Sequence, residues 1–222
     1  MRKIKKIIKN SCLSSFLLFL LVSCITVRRG VDNRFSVVYW RWCNCVRIVD
    51  GKNVYNVKLN DNKDVIKNGV LFYEKNGTDL FLTSISRSMV KISLKNREIE
   101  WIKKLATVPQ DNLLVDDEYI YFNGIDNNFY ILNRNDGGVY GVFFNGGVGK
   151  SGNVKKPYVY KNIVVTFFSN GDIFFIDRLH KKVIDVKNYR NNVAINNNLL
   201  TMDEVDIIDL NEMSNKIKKL KN

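Results

Sequence analysis

Few side chains able to do chemistry occur in this 222-residue chain. The one histidine, His180, lies in RLHKKV. A lone imidazole builds no Ser-His-Asp constellation, so its expected place is a solvated turn. Cys43 and Cys45 form a C-x-C in WRWCNCVRIV. On a strand both would point to one face, a bridge across one residue departs from ordinary cystine geometry, and C-x-C with one histidine does not assemble a zinc site. Two small apolar side chains packed in a strand are expected. FNGGVGKSG, Phe144 to Gly152, comes near a phosphate-binding loop. That motif needs glycine where Phe144 stands, and a helix after the lysine. GNVKKPYVY follows instead, and its glycine, asparagine and proline oppose a helix. Acids such as Asp116-Asp117 and Asp203-Glu204 are scattered on turns, where carboxylates are usually solvated. No catalytic residue, metal ligand or cofactor-binding residue is expected.

The first residues read as an address. MRKIKKIIKN carries Arg2, Lys3, Lys5, Lys6 and Lys9 and no acid, and SCLSSFLLFLLVSC supplies a short apolar core. This is the pattern of a secretory signal, at the short end for a bilayer span. Leu21-Val22-Ser23-Cys24 resembles the lipobox of bacterial lipoproteins. The resemblance implies that residues 1–23 are removed and that Cys24 is acylated, anchoring the chain to a membrane at about 0.8 kcal/mol per buried methylene. Ile25 stands where inner-membrane retention would show Asp, which implies the outer membrane. Cleavage would take five basic residues and lower the net charge from +13 to +8. Behind an export signal, a basic surface is first a solvated one, and a partner for it would be anionic lipid or an acidic protein rather than nucleic acid.

The elements repeat. YIYFNGIDNNFYILN (119–133) aligns without a gap on IVVTFFSNGDIFFID (163–177), 44 residues on, and on LFLTSISRSMVKIS (80–93), 40 residues back. LLTMDEVDIIDL (199–210) repeats the pair with a shortened turn. Pro109 and Pro157 open two units, as suits the start of an edge strand. REIEW, GGVYGVF and KKVIDV follow the second strands, so each unit holds about four short strands. Apolar residues run together in VVTFF and IFFI, which fits strands buried on both faces. Period and strand count describe propeller blades. The expected fold is all-β, with four-stranded antiparallel blades, four to five in number, in a ring left closed or incomplete. Residues 24–35 read as a linker, 36–210 as the repeats with a degenerate first blade at 36–60, and 211–222 as a basic tail, either an amphipathic helix or a frayed end.

These units resemble the PQQ-like β-propeller repeat. The likeness rests on the proline-led PYVYKNIVVTFF, on FYILNRNDGG, and on Trp101, which stands where that repeat often ends in tryptophan. Gly141 and Asp185 hold the equivalent places; Gly137 matches the family glycine, and Lys181 and Met213 depart from it. Together with the lipobox, the pattern resembles the BamB family of lipoproteins of the outer-membrane β-barrel assembly machinery. That resemblance implies a non-catalytic scaffold on the periplasmic leaflet, whose partner is the assembly subunit through its periplasmic domains (BamA-like). Members usually have eight blades, more than this length allows. A generic binding module for a protein or small ligand is the alternative. A PQQ-dependent dehydrogenase remnant is another, but it would need calcium ligands and an adjacent Cys-Cys pair, and only C-x-C occurs.

Overall fold

The computed structural model describes residues 27–29, 35–40, 43–59, 66, 69–146, 155–189, 193–196, 198–202 and 206–219. Among them the chain forms five antiparallel sheets, in each of which the strands pair in chain order. Blade 1 holds β1 (Val27–Arg29), β2 (Phe35–Trp40), β3 (Cys45–Asp50) and β4 (Asn53–Lys58). Blade 2 holds β5 (Val70–Asn76), β6 (Asp79–Ser84), β7 (Ser88–Ser93) and β8 (Glu98–Lys104). Blade 3 holds β9 (Leu114–Val115), β10 (Tyr119–Asn123), β11 (Asn128–Asn133) and β12 (Val139–Phe144). Blade 4 holds β13 (Tyr158–Tyr160), β14 (Ile163–Phe167), β15 (Asp172–Asp177) and β16 (Lys182–Asn188). Blade 5 has three strands, β17 (Val193–Asn196), β18 (Leu199–Met202) and β19 (Asp206–Asp209), followed by a helix, α1 (Leu210–Lys219). Two compact units divide between Lys104 and Leu105, with blades 1 and 2 in the first and blades 3 to 5 in the second. The fold is all-β and blade-built, and blade 1 takes its first strand, Val27–Arg29, from within residues 24–35, which read as a linker in the sequence.

Local chemistry sets the repeat. In blades 2, 3 and 4 the central hairpin turns as Ser84–Arg87, Gly124–Asn127 and Phe168–Gly171, each closed by the fourth residue's N–H donating to the first residue's carbonyl at 3.0–3.1 Å. The fourth residue is left-handed in each, with φ of 60° at Arg87, 61° at Asn127 and 93° at Gly171. Such a turn followed by a left-handed residue matches the twist of a hairpin. The next turn is capped from its first residue: Ser93 Oγ accepts from Asn96 N, Asn133 Oδ1 from Asn135 N, and Asp177 Oδ1 from Leu179 N and His180 N. A β-bulge then recurs on the fourth strand, leaving Glu100, Tyr140 and Ile184 unopposed. Past it, Trp101, Gly141 and Asp185 sit opposite Lys91, Ile131 and Phe175. The equivalence read from the sequence holds in space.

Blade 4 shows why its two central strands carry runs of apolar residues. Every residue of β14 is buried. Val164, Phe174 and Ile176 join Tyr121, Phe129, Ile131 and Phe143 of blade 3 in one cluster. Ile163, Val165, Phe167, Ile173 and Phe175 join Val193, Leu200 and Met202 of blade 5 in another. Alternation along a strand therefore feeds two cores, one on each face. In unit 1, Val37 and Ile48 of blade 1 pack with Leu80, Leu82, Val90 and Ile92 of blade 2. The tail is helical, and its stripe Leu210, Met213 and Ile217, spaced one or two turns apart, packs on the blade 4–blade 5 core.

Candidate functional site

The strand that opens each blade pairs on one side only, β9 with β10, β13 with β14 and β17 with β18. In unit 2 they line an open cleft of about 450 Å³, with Leu114, Pro157, Tyr158, Phe167, Val193 and Ile195 on its walls. Its cations come from the segment leading into β13. Lys155 Nζ donates to the carbonyl of Val193, tying blade 4 to blade 5, and Lys156 stands beside it. Pro157 has no N–H to leave unpaired at the start of β13, the role expected of it. Pro109 acts differently: it forms an isolated bridge with Gly124, five residues before β9. A Cβ at Gly124 would come within 2.3 Å of Asp126 Oδ1 and 2.4 Å of the Thr107 methyl, so glycine is what leaves room for both side chains.

Polar groups clasp blade 3 to blade 4. Asp116 was expected to be a solvated turn acid. Its Oδ1 does accept from the N–H groups of Glu118 and Tyr119, as in an Asx turn. Its Oδ2, however, accepts from the Tyr121 hydroxyl at 2.7 Å and from Arg178 Nη1 at 2.5 Å, and Arg178 also donates to the Tyr121 oxygen at 2.9 Å. The solvated reading fails because the guanidinium arrives from the next blade. Burial, and then the hydrogen bond to Asp116, push the Tyr121 phenol well above its ordinary range. It therefore stays protonated and donates, and cannot act as a base near neutrality. Deeper in the same interface, Thr166 Oγ1 donates to Asn123 Oδ1 at 2.7 Å. The Asn123 amide nitrogen is buried without a partner.

The other expected site residues fall as follows. His180 lies in a turn, as expected, with Nδ1 against Asp177 Oδ2 of the same turn. Asp177 is buried, so it orders the turn and the imidazole together. Cys43 and Cys45 correct the sequence reading, because they form a disulfide. Strand β2 ends at Trp40, which puts Cys43 in the turn rather than on a strand, and only Cys45 belongs to β3. Cys24, most of the FNGGVGKSG stretch and Asp203-Glu204 lie outside the described residues. Among the described residues no three His, Cys, Asp or Glu side chains gather as a metal site, and no helix is long and apolar enough to cross a membrane.

Successive antiparallel blades of three or four strands, with the first strands of the unit 2 blades lining a common cleft, define a β-propeller-type protein. Known structures agree on the fold. The chain is similar to BamB from Moraxella catarrhalis, with a TM-score of 0.62 and 12% identity over 85% of this chain, and it spans 64% of that structure's length. It is also similar to the computationally designed Ika8 protein, with a TM-score of 0.56 and 10% identity, covering 82% of this chain and 56% of the designed one. No family profile and no curated protein sequence matches the chain.

Proposed function

We propose that this chain is a lipid-anchored, non-catalytic scaffold that assists outer-membrane β-barrel assembly from the periplasmic leaflet. One observation carries the reading: the BamB-like fold extends over 85% of the chain. The sequence supports it, since a basic, apolar leader ends in Leu21-Val22-Ser23-Cys24. The Cys43–Cys45 disulfide fits a chain that leaves the reducing cytosol. Blade 4, packed on both faces, makes unit 2 stiff and suits it to holding its loops in fixed relation to a partner. The partner in this reading is the periplasmic region of the barrel-forming assembly subunit. The test is cross-linking of the tagged protein in its native membrane, with mass spectrometry of its neighbours and of the Cys24 peptide. Recovery of the assembly subunit with acylated Cys24 is expected. Acylated protein without that neighbour would sink the assembly role.

The cleft of about 450 Å³ favours a second reading, a binding module for an apolar ligand or peptide. Native mass spectrometry of the purified chain separates the two, because a retained small molecule supports the module.

A further inference from the structure

We infer that Cys43 and Cys45 are a redox-active pair that accepts electrons from the thiols of a client polypeptide. The disulfide sits in the β2–β3 turn and spans Asn44, whose φ is 46°. Asn44 immediately precedes the third strand of its blade, the place that Arg87, Asn127 and Gly171 hold in blades 2, 3 and 4. Those three turns are made without cysteine. The β2–β3 turn also has ties of its own. Leu59 N donates to the Asn44 carbonyl at 2.9 Å, the Tyr39 hydroxyl donates to Asn44 Oδ1 at 2.9 Å, and Trp40 pairs with Cys45 in the ladder. The bond adds little to the fold in entropic terms, because the gain grows with the logarithm of the loop closed and this loop has one intervening residue. A cystine that the turn does not need is better explained by its chemistry.

Its two sulfurs are unequally placed. Cys43 is exposed and Cys45 is 3% exposed. Exposed disulfides are the ones that exchange, whereas enclosed structural ones resist thiols. Beside the pair, the half-exposed Trp40 indole lies 5.5 Å from the Arg47 guanidinium. This offers an unfolded segment an aromatic surface with a cation on it to land on.

The exchange runs in two displacements. A client thiolate attacks Cys43 Sγ, the Cys43–Cys45 bond breaks, and Cys45 leaves as a thiolate. A second client thiolate then attacks the client sulfur of the mixed disulfide, and Cys43 leaves. The client gains one disulfide, and Cys43 and Cys45 take up two electrons and two protons. The client is an extended, cysteine-containing polypeptide, and no other oxidant enters a single turnover.

The test uses the full-length chain, equilibrated in glutathione buffers of graded ratio, then differentially alkylated and read peptide by peptide so that Cys12 and Cys24 do not interfere. Cys43 and Cys45 should pass together from disulfide to dithiol across those buffers, with the thermal midpoint unchanged. Cys45→Ser charged at Cys43 with thionitrobenzoate should exchange it for a thiol of reduced, unfolded ribonuclease A, releasing thionitrobenzoate and leaving a mixed disulfide at Cys43, and the oxidised parent chain should give ribonuclease one disulfide per molecule. A cystine that stays oxidised throughout would overturn the proposal. So would a reduced chain that unfolds, or a Cys45→Ser chain that yields no adduct. The assembly subunit takes no part, so the result is independent of the scaffold reading.

Discussion

Blade 2 and blade 4 share one frame and fill its centre differently. Position 91 of blade 2 corresponds to 175 of blade 4, each opposite the residue just past the bulge. Blade 4 places Phe175 there, fully buried in the core it shares with blade 5. Blade 2 places Lys91 there, 6% exposed, with Asp79 at 3.2 Å, Glu100 at 2.7 Å and its ammonium 5.9 Å from the centre of the Phe81 ring. Glu100 is the bulge residue itself, so the extra residue that the frame provides carries the counter-charge. The two blades show that turns and bulge fix the sheet, while its centre accepts either a ring or a neutralised cation. The energetics should differ accordingly. A buried ring stabilises through area and close packing, whereas a buried ion pair mostly offsets its own desolvation.

The largest effect should come from the ring. Phe175→Ala should destabilise unit 2 by about 4 kcal/mol, as large-to-small changes in tight cores do. Chemical denaturation followed by circular dichroism measures it, and a loss under 2 kcal/mol, roughly half the usual range, would mean that the two blades close over the gap. Lys91→Ala should cost slightly less, about 3 kcal/mol, because Asp79 is left beside an apolar void. Lys91→Met combined with Asp79→Leu should return to within about 1 kcal/mol of the parent, since apolar replacement of a whole buried pair is nearly neutral and the Glu100 carboxylate left behind is 38% exposed and reaches water. A double variant as unstable as Lys91→Ala would show that the ions hold blade 2 together, against the comparison drawn above.

What the sequence showed of these blades, and what it hid, follows the reach of the interactions. Turn residues and strand alternation act within a dozen positions, so YIYFNGIDNNFYILN and IVVTFFSNGDIFFID align by eye, and Trp101, Gly141 and Asp185 fall on one structural site. Lys91 aligned with Ile131 and Phe175 as well, but nothing local announced that it would be buried. Asp116 read as one more turn acid because Arg178 lies 62 residues away, on the neighbouring blade. The cleft was hidden for the same reason, since β9, β13 and β17 meet only after three blades have stacked. Cys43 and Cys45 were placed on one strand because WRWCNCVRIV carries no glycine or proline. The left-handed residue of that turn is Asn44, which tolerates positive φ better than most residues but marks a turn less clearly than glycine.

The shared turn gives a smaller and sharper test. At Gly171 the φ of 93° is unsuited to a side chain, and a Cβ would lie 2.6 Å from the Tyr189 carbonyl oxygen. Gly171→Ala should therefore cost about 2 kcal/mol. Arg87 holds the same turn position in blade 2 at a φ of 60° with an exposed tip. Arg87→Gly should gain about 0.5 kcal/mol, the relief of left-handed backbone less the entropy glycine loses. Equal and opposite effects are not expected, because only Gly171 meets a backbone oxygen. If thermal melts show Gly171→Ala to be neutral, the turns are not equivalent and the frame argument fails at its best-defined point.

The weakest effect expected is alkaline, and it should fall on unit 2. The Tyr130 phenol is pushed up to about 12, first by burial and then by its hydrogen bond to Asp126. Tyr119 is raised to about 12 by its interaction with Tyr140 and by burial, and Tyr121 is raised further still. In unit 1, Tyr55 is raised mainly by burial, to a smaller extent. A raised phenol keeps its proton longer in the folded chain than in the unfolded one. Its contribution is therefore complete below the ordinary value of 10.0 and is lost as pH rises through about 12. Thermal midpoints taken across that window should fall with pH, and tyrosinate absorbance in the native chain should lag behind that of the unfolded chain. Tyr130→Phe should flatten part of the slope and leave the midpoint at neutral pH nearly unchanged. Tyr55→Phe should flatten it less, since unit 1 has fewer phenols held in this way among the described residues. A slope that Tyr55→Phe reduces as much as Tyr130→Phe would place the alkaline sensitivity in both units, and the contrast between an ion-centred blade and an aromatic-rich unit would no longer account for it.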